Sequence, residues 1–240
     1  MKHANFVRLA FVILAGMLCA SAVPISTLVS TGQAAPGSPD PNWLYSPSFG
    51  VFQSPYVTAA NPNNGFPFYA WINNDASSSW ISPNPVYGTG VWGDSPGLHR
   101  FMLVFALPAN ADPATATFSF RLAIDNYLHS VWFNGTMILN DPYSAISYNA
   151  FSPVVTVGPG LFQAGNNFLE VFVTNSSIVG NSDPMTWNPA GLRLEIVDSN
   201  VELLPPPPPS GEIPETSTVF MMAMGLIGIG LARRRRARNG

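Results

Sequence analysis

The sequence predicts an all-β domain built as a sandwich or jelly roll. Its 24 prolines and 20 glycines supply many turns, while 16 phenylalanines and six tryptophans supply material for a packed core. Residues 115–124 alternate between apolar and polar side chains, as expected of a strand with one buried face. Asn134-Gly135, flanked by apolar runs, is a strong signal for a two-residue hairpin turn. No stretch of the domain has a convincing helical period.

The first 35 residues are predicted to be a secretory signal peptide. Two basic residues precede an apolar core at residues 9–19, and small residues follow it as cleavage signals. Cleavage is expected after about residue 22 or after about residue 34. Either cut removes Cys19, the single cysteine, so the mature protein would depend on a packed core without a disulfide.

The sandwich domain is predicted to span residues 66–204, after a lead-in linker at residues 36–65 that is rich in proline, serine and glycine. Its predicted strands lie at residues 66–72, 100–107, 115–124, 130–133, 136–139, 151–157, 168–174 and 192–197. Pro67 restricts the first of them to a sheet edge or a strand start. In the last, Arg193 and Glu195 share a face and are interpreted as an exposed ion pair of little energetic value.

The C-terminal region carries a spacer and a membrane segment. Residues 205–212 contain five consecutive prolines, which favour an extended spacer of roughly 15 Å. The uncharged apolar run at residues 219–232 is predicted to cross a membrane, with the arginine-rich tail inside and the domain outside. The tail arginines are Arg233, Arg234, Arg235 and Arg236. An ordinary tail anchor would have the same spacing.

In residues 213–240, Pro214-Glu215 comes first, the apolar run follows, and the arginines come last. This order of motifs resembles the PEP-CTERM sorting signal of Gram-negative bacteria. The family commonly has Pro-Glu-Pro, and here Thr216 stands in place of the second proline. The resemblance implies cutting by an exosortase and passage to the cell surface or an extracellular polysaccharide matrix. It also implies the exosortase, the export machinery and the bacterial membrane as partners.

The domain carries a series of short motifs in a fixed order. They are 80–83 (WISP), 112–114 (DPA), 123–126 (AIDN), 134–135 (NG), 162–166 (FQAGN), alternating apolar residues at 169–173, Asn175, and 189–195 (PAGLRLE). Their order resembles an exported module of PEP-CTERM proteins, itself similar to galactose-binding-like jelly rolls. That resemblance covers about half of the chain and implies a β-sandwich that binds sugars at its loop ends and often holds a calcium ion.

The charge distribution disfavours a nucleic-acid partner. Eleven acidic residues lie from Asp40 to Glu202, against three arginines, which gives that region a net charge of −8. A region so acidic repels a phosphate backbone.

Tryptophans and acidic side chains in predicted loops are the candidates for glycan and calcium binding. Most tryptophans, Trp132 in particular, are expected in the core, because aromatic side chains bury large areas. The candidate glycan-binding residues are Trp80, Trp92, Asp125, Asn126 and Trp187. Asp125 and Asp183 are candidate ligands of a calcium ion, although an Asp-Asn pair also begins turns without an ion.

Two enzymatic alternatives remain. Residues 93–97 fit the G-x-S-x-G pattern with His99 nearby, but Pro96 lacks the N–H that an oxyanion hole needs at that position, so a turn is favoured. A glycosidase would need paired carboxylates, such as Asp125 with Glu170 or Glu195.

The function expected is that of a non-enzymatic, exported surface or matrix protein whose sandwich contacts extracellular polysaccharide. A secreted carbohydrate-active enzyme and a purely structural envelope protein are the alternatives.

Overall fold

The structure is a computed structural model that describes residues 21–47, 49–60, 62–63, 65–87, 93–140, 146–176 and 188–206. Within these ranges the chain forms two antiparallel sheets and no helix, which confirms the predicted all-β fold and fits a sandwich. The strands are β1 (Ala22–Val23), β2 (Trp43–Pro47), β3 (Tyr56–Val57), β4 (Ile81–Ser82), β5 (Gly97–Ala106), β6 (Thr117–Asp125), β7 (Tyr127–Phe133), β8 (Thr136–Leu139), β9 (Val155–Val157), β10 (Asn166–Asn175) and β11 (Gly191–Glu202).

The two sheets are each built around one long strand pair. The six-stranded sheet has the order β3-β4-β11-β6-β9, with β1 also paired to β11. The five-stranded sheet has the order β2-β5-β10-β7-β8. Because β5 pairs with β10 and β6 with β11, residues far apart in sequence lie side by side in both layers.

The core between the sheets is rich in phenylalanine. Phe118, Phe120 and Leu122 of β6 are buried, while Arg121 between them points outward, so the predicted alternation is confirmed. The rings of Phe118 and Phe133 meet edge-on with centroids 5.3 Å apart, which packs β6 of one sheet against β7 of the other. Burying each such side chain stabilises the fold by about 1.5–3 kcal/mol.

The predicted hairpin between β7 and β8 is also confirmed. Asn134 and Gly135 have φ of 48° and 78°, the positive values that a type I′ turn needs at both central positions. The turn is fixed to β10 as well, because Asn134 Oδ1 accepts a hydrogen bond from the Phe168 N–H at 2.8 Å. Asn134 Nδ2 donates to Asn167 Oδ1 at 2.7 Å.

Residues 22–47 belong to the sandwich, so the predicted linker at residues 36–65 and the domain start at residue 66 are wrong. β2 forms an edge of the five-stranded sheet, and its Trp43 and Tyr45 are buried. Upstream of β2, Ile25 and Leu28 also pack into the main core. The strands of this segment are two to five residues long, too short for a period to appear in the sequence.

The strand predicted at residues 66–72 is a run of turns instead. Pro67 accepts hydrogen bonds at its carbonyl from the N–H groups of Ala70, at 2.9 Å, and Trp71, at 3.0 Å. Local bonds therefore satisfy this backbone, and no sheet neighbour is needed. The apolar character that suggested a strand comes from packing rather than pairing.

We call residues 65–80, which precede β4, the covering segment, because they pack on the outer face of the six-stranded sheet. A second apolar cluster lies between them and β6 and contains Phe66, Trp71, Trp80, Tyr87 and Ala123. A Cβ added at Gly191 of β11 would lie 2.6 Å from the Trp71 ring, so only glycine allows this close approach.

Arg193 is buried under the covering segment, and the predicted exposed pair with Glu195 is wrong. Its side chain is 1% exposed and lies 2.6 Å from the Asp75 carboxylate. Glu195 pairs instead with Arg121 across the strands at 3.0 Å. The covering segment thus buries a position of β11 that faces outward from the two-sheet sandwich.

Several predicted features lie outside the described residues, namely the signal-peptide core, most of the proline spacer, the run at 219–232 and the sorting residues Pro214, Glu215, Arg233, Arg234, Arg235 and Arg236. The chain divides into two units, Met1–Leu204 and Pro205–Gly240. Among the residues that the structure describes, none form a helix long and apolar enough to span a bilayer.

Replacing Gly32 with alanine tests whether residues 22–34 are part of the folded domain. Gly32 has φ of 75°, and a Cβ there would lie 2.3 Å from Ser79 Cβ and 2.7 Å from Ser79 Cα. We expect Gly32→Ala to lower the free energy of unfolding by about 2–5 kcal/mol, combining left-handed strain with overpacking. Urea denaturation of the full-length protein measures it.

Gly37→Ala is the matched control, since Gly37 has φ of 84° and nothing within 4 Å of its added Cβ. Only the left-handed backbone strain should lower its free energy of unfolding, by about 1–2 kcal/mol. Equal losses in the two variants would contradict the packing of this segment against Ser79.

Candidate functional site

The outer face of the five-stranded sheet carries an open groove of about 440 Å³. Strand alternation places Arg100 and Met102 of β5, with Phe168 and Glu170 of β10, on this face, while their neighbours along each strand fill the core. We call this depression the sheet groove. Its lining residues are Phe52, Arg100, Met102, Asn134, Gly135, Gln163, Phe168 and Glu170.

An ion pair between Arg100 and Glu170 lies in the sheet groove. The two residues sit diagonally across the β5–β10 pair, since Arg100 is opposite Phe172 and Glu170 is opposite Met102. The guanidinium carbon lies 4.8 Å from the Phe52 ring centroid and 5.8 Å from that of Phe172, at distances that favour cation–π attraction. The side chains of Arg100 and Glu170 are 24% and 15% exposed, so both charges reach the groove.

Trp132 lies on the same outer face and was wrongly expected in the core. Its neighbours Val131 and Phe133 fill the core, which turns Trp132 outward, where it is partly exposed opposite Glu170 of β10. The indole Nε1 donates to Ser130 Oγ at 2.9 Å, which fixes the orientation of the ring. The alternation of residues 131–133 was the signal that could have placed it.

Trp80, a predicted glycan-stacking residue, is fully buried, so that prediction is wrong. Its Nε1 donates to the Ile72 carbonyl oxygen at 2.8 Å, and its ring centroid lies 4.2 Å from that of Trp71. The covering segment thus encloses the ring and leaves no face for a sugar. The other predicted stacking residues, Trp92 and Trp187, lie outside the described residues.

Asp125 and Asn126, predicted to bind a glycan, are tied into the fold at the end of β6. The Asp125 carboxylate accepts hydrogen bonds from Trp71 Nε1 at 2.9 Å and Asn126 Nδ2 at 2.6 Å. Asn126 Oδ1 accepts one from the Ser176 N–H at 2.8 Å. Asp125 is 5% exposed, and these bonds give the pair a structural role.

The geometry at Asp125 does not fit the calcium site predicted at Asp125 and Asp183. Its two carboxylate oxygens face the N–H donors of Trp71 and Asn126, whereas a calcium ion takes six to eight oxygen ligands. Asp183 lies outside the described residues. Within the described ranges, no group of three or more acidic, histidine or cysteine side chains is placed to hold a metal ion.

A second buried carboxylate, Asp94, lies in the same polar network. It accepts hydrogen bonds from the Tyr87 hydroxyl at 2.5 Å, Asn84 Nδ2 at 2.6 Å and the Ala190 N–H at 2.7 Å. Burial raises the pKa of Asp94 to about 6, although these donors act in the opposite direction. Burial likewise raises the pKa of Asp125 to about 7, and the charge of Asp94 adds to the effect.

His99 serves the fold rather than the Ser95 hydroxyl of the G-x-S-x-G pattern. Its Nε2 donates to the Ser95 carbonyl oxygen at 2.8 Å, and its Nδ1 accepts from the Tyr45 hydroxyl at 2.7 Å. Burial lowers the pKa of His99. Both ring nitrogens are thus engaged where the turn enters β5.

The carboxylates of the glycosidase alternative do not come together. Glu170 lies on the outer face of the five-stranded sheet, whereas Asp125 ends β6 in the other sheet. Glu195 lies four positions along β11 from Gly191, the partner of Asp125, which is about 13 Å in a strand. Paired glycosidase carboxylates lie about 5–10 Å apart.

The comparisons with known proteins leave the function open. No protein-family model matches the sequence, and no curated protein shows significant similarity to it. Among solved structures, the chain is similar to the GH31 alpha-xylosidase (Xac1773) from Xanthomonas citri, with 7% identity and a TM-score of 0.27. The match covers 76% of this chain and 18% of the xylosidase.

The raised pKa values of Asp94 and Asp125 predict stability that increases toward acidic pH. Because the folded pKa values lie above the unfolded value of 3.8, the folded domain binds these protons more tightly. Between pH 8 and pH 5, we expect the free energy of unfolding to rise by about 1–3 kcal/mol for each carboxyl.

Urea denaturation of the full-length protein at several pH values measures this slope. Asp125→Asn should flatten it whatever the variant's absolute stability, while Asp198→Asn removes an exposed carboxylate of β11 as the control. Because buried His99 has a lowered pKa and contributes in the opposite direction, the difference between variant and wild type decides: an Asp125→Asn slope equal to that of the wild type would contradict the assignment.

Proposed function

We propose that this protein is an exported, exosortase-processed protein of the cell surface or extracellular matrix, and that its sandwich binds polysaccharide without cleaving it. The binding site is the sheet groove. One observation supports this choice: the groove sets partly exposed aromatic faces beside an ion pair on an open sheet surface. Sugar rings need such a site, because they present an apolar C–H face and a rim of hydroxyls.

The residues of the sheet groove suit retention of a glycan better than its hydrolysis. Glycoside hydrolysis normally needs two carboxyl groups on either side of the bond that is cut. Among the lining residues, Glu170 is the single carboxylate, and Arg100 neutralises it. The groove is open to solvent, so a polymer can reach it.

The proposed export to the cell surface and the proposed galactose-binding-like jelly roll both rest on sequence resemblance. Pro214, Glu215, the apolar run and the arginines support sorting by an exosortase, and the motif order supports a galactose-binding-like jelly roll. The alternatives are a secreted carbohydrate-active enzyme and a structural envelope protein, and the following experiment distinguishes both from a polysaccharide-binding protein.

Removing the aromatic faces in and beside the sheet groove should weaken polysaccharide binding. Phe168 lines the groove, and Trp132 lies beside it, opposite Glu170 on the neighbouring strand. We expect Trp132→Ala and Phe168→Ala each to reduce affinity about tenfold, since each removes buried apolar contact worth about 1–3 kcal/mol. Affinity electrophoresis of the full-length protein in detergent, through gels containing galactan, mannan, xylan or β-glucan, measures the retention.

Tyr69→Ala is the control, because Tyr69 is an aromatic residue of the covering segment with 68% exposure. Shortened glycan chains would favour the enzyme, and an absence of retention would leave a structural role. Retention that survives both Trp132→Ala and Phe168→Ala would place the binding site elsewhere.

Altering the sorting motif should prevent processing. Ala at Pro214 and Glu215 together should leave the tail uncut, because these residues carry most of the sorting signature. Mass spectrometry of the mature C-terminus in a host with an exosortase measures the cut. Glu212→Ala, a nearby acidic residue outside the motif, should be processed normally.

A further inference from the structure

We propose that the Arg100–Glu170 pair makes the sheet groove selective for neutral sugar units over uronic acids. The inference rests on the proposed function and specifies its ligand. The two side chains are ion-paired on adjacent strands, and the other lining residues of the groove are uncharged. The groove therefore carries a donor and an acceptor side by side with no net charge.

An anionic sugar would have to compete with Glu170 for Arg100. Arg100 contacts Glu170 through one guanidinium nitrogen, and the ring of Phe52 lies against the same group. Drawing Arg100 toward a sugar carboxylate would leave Glu170, 15% exposed, without its counter-charge. Breaking a partly buried pair in this way is costly, and Glu170 would also repel the ligand.

A neutral sugar can use both groups without separating them. Arg100 bonds to Glu170 Oε1, and among the described residues none donates a hydrogen bond to Oε2. That oxygen can accept from one sugar hydroxyl, while a further N–H of Arg100 donates to the next. Because each hydroxyl both donates and accepts, two adjacent hydroxyls match this arrangement.

The aromatic side chains around the pair set the position of the sugar ring. Trp132 lies opposite Glu170 on β7, and Phe168, 36% exposed, precedes Glu170 by two positions on β10 and shares its face. A pyranose ring packed on either side chain would bring its hydroxyl rim toward the ion pair. The groove thus combines an apolar contact with a neutral hydrogen-bonding pair.

The experiment compares retention of the full-length protein in gels of neutral and anionic polysaccharides at matched ionic strength. The neutral probes are galactan, mannan, xylan, β-glucan and fully methyl-esterified polygalacturonate, and the anionic ones are alginate and polygalacturonate itself. We expect the wild type to be retained by at least one neutral polymer and by neither anionic one. The esterified and free polygalacturonates share a backbone and differ only in whether the carboxyl groups are methyl esters or free carboxylates.

Two variants make the test specific to the ion pair. Glu170→Gln should weaken neutral retention about tenfold and add retention by an anionic polymer, because it frees the charge of Arg100. Arg100→Gln should also weaken neutral retention by a similar factor, without the anionic gain. Glu195→Gln, which breaks the Arg121 pair on the other sheet, should change neither. Urea denaturation confirms that each variant is folded.

The outcomes separate the inference from the proposed function. Retention by anionic polymers as strong as by neutral ones would overturn the selectivity and leave polysaccharide binding intact. Unchanged preference in folded Glu170→Gln would overturn the role of the pair. Failure of every polymer to retain the wild type would overturn both.

Discussion

The difference between the two outer sheet faces depends on the contacts that hold the buried guanidinium of Arg193. The guanidinium donates to Ser78 Oγ at 2.8 Å and to the Asn73 carbonyl oxygen, and its Nη2 forms an ion pair with the Asp75 carboxylate at 2.6 Å. The Phe151 ring lies 4.8 Å away. Since an unpaired buried charge costs several kcal/mol, one short stretch of the covering segment is needed to satisfy it. The outer face of the six-stranded sheet is thereby covered around Arg193, while the outer face of the five-stranded sheet keeps an open groove.

The sequence predicts the strands whose burial is set within the sandwich itself. β6 alternates because the facing sheet decides which of its side chains are buried, and the Asn134-Gly135 turn follows from local backbone preference. The position of Arg193 could not be read in this way. Its face on β11 would be solvent-exposed in a two-layer sandwich, and the third layer that buries it comes from residues more than a hundred positions earlier.

Trp80 and Trp132 show that the sequence also failed to predict which aromatic side chains are exposed near the candidate site. Trp80 was a candidate for glycan stacking because it begins a predicted loop, but the covering segment closes around its ring. Trp132 lies in a strand and was expected in the core, but its neighbours take the inward positions and leave it beside Glu170. Loop residues are exposed only where no other segment covers them, and a strand has two faces. Exposure of an aromatic residue therefore depends on layers that composition does not reveal.

The segment mistaken for a linker also builds one wall of the sheet groove. After β2 the chain folds back, with Tyr45 and Gln53 exchanging backbone hydrogen bonds at 2.7 and 2.9 Å. This return places Phe52 against the guanidinium of Arg100 and Phe49 against Phe172, with ring centroids 5.8 Å apart. The same region thus forms an edge of the five-stranded sheet and shapes the groove.

The packing of residues 22–34 also bears on the two predicted signal cuts. A cut after residue 34 would remove Ile25 and Leu28 from the core, whereas a cut near residue 22 would keep them. Since removing buried apolar side chains is destabilising, this packing favours the earlier cut.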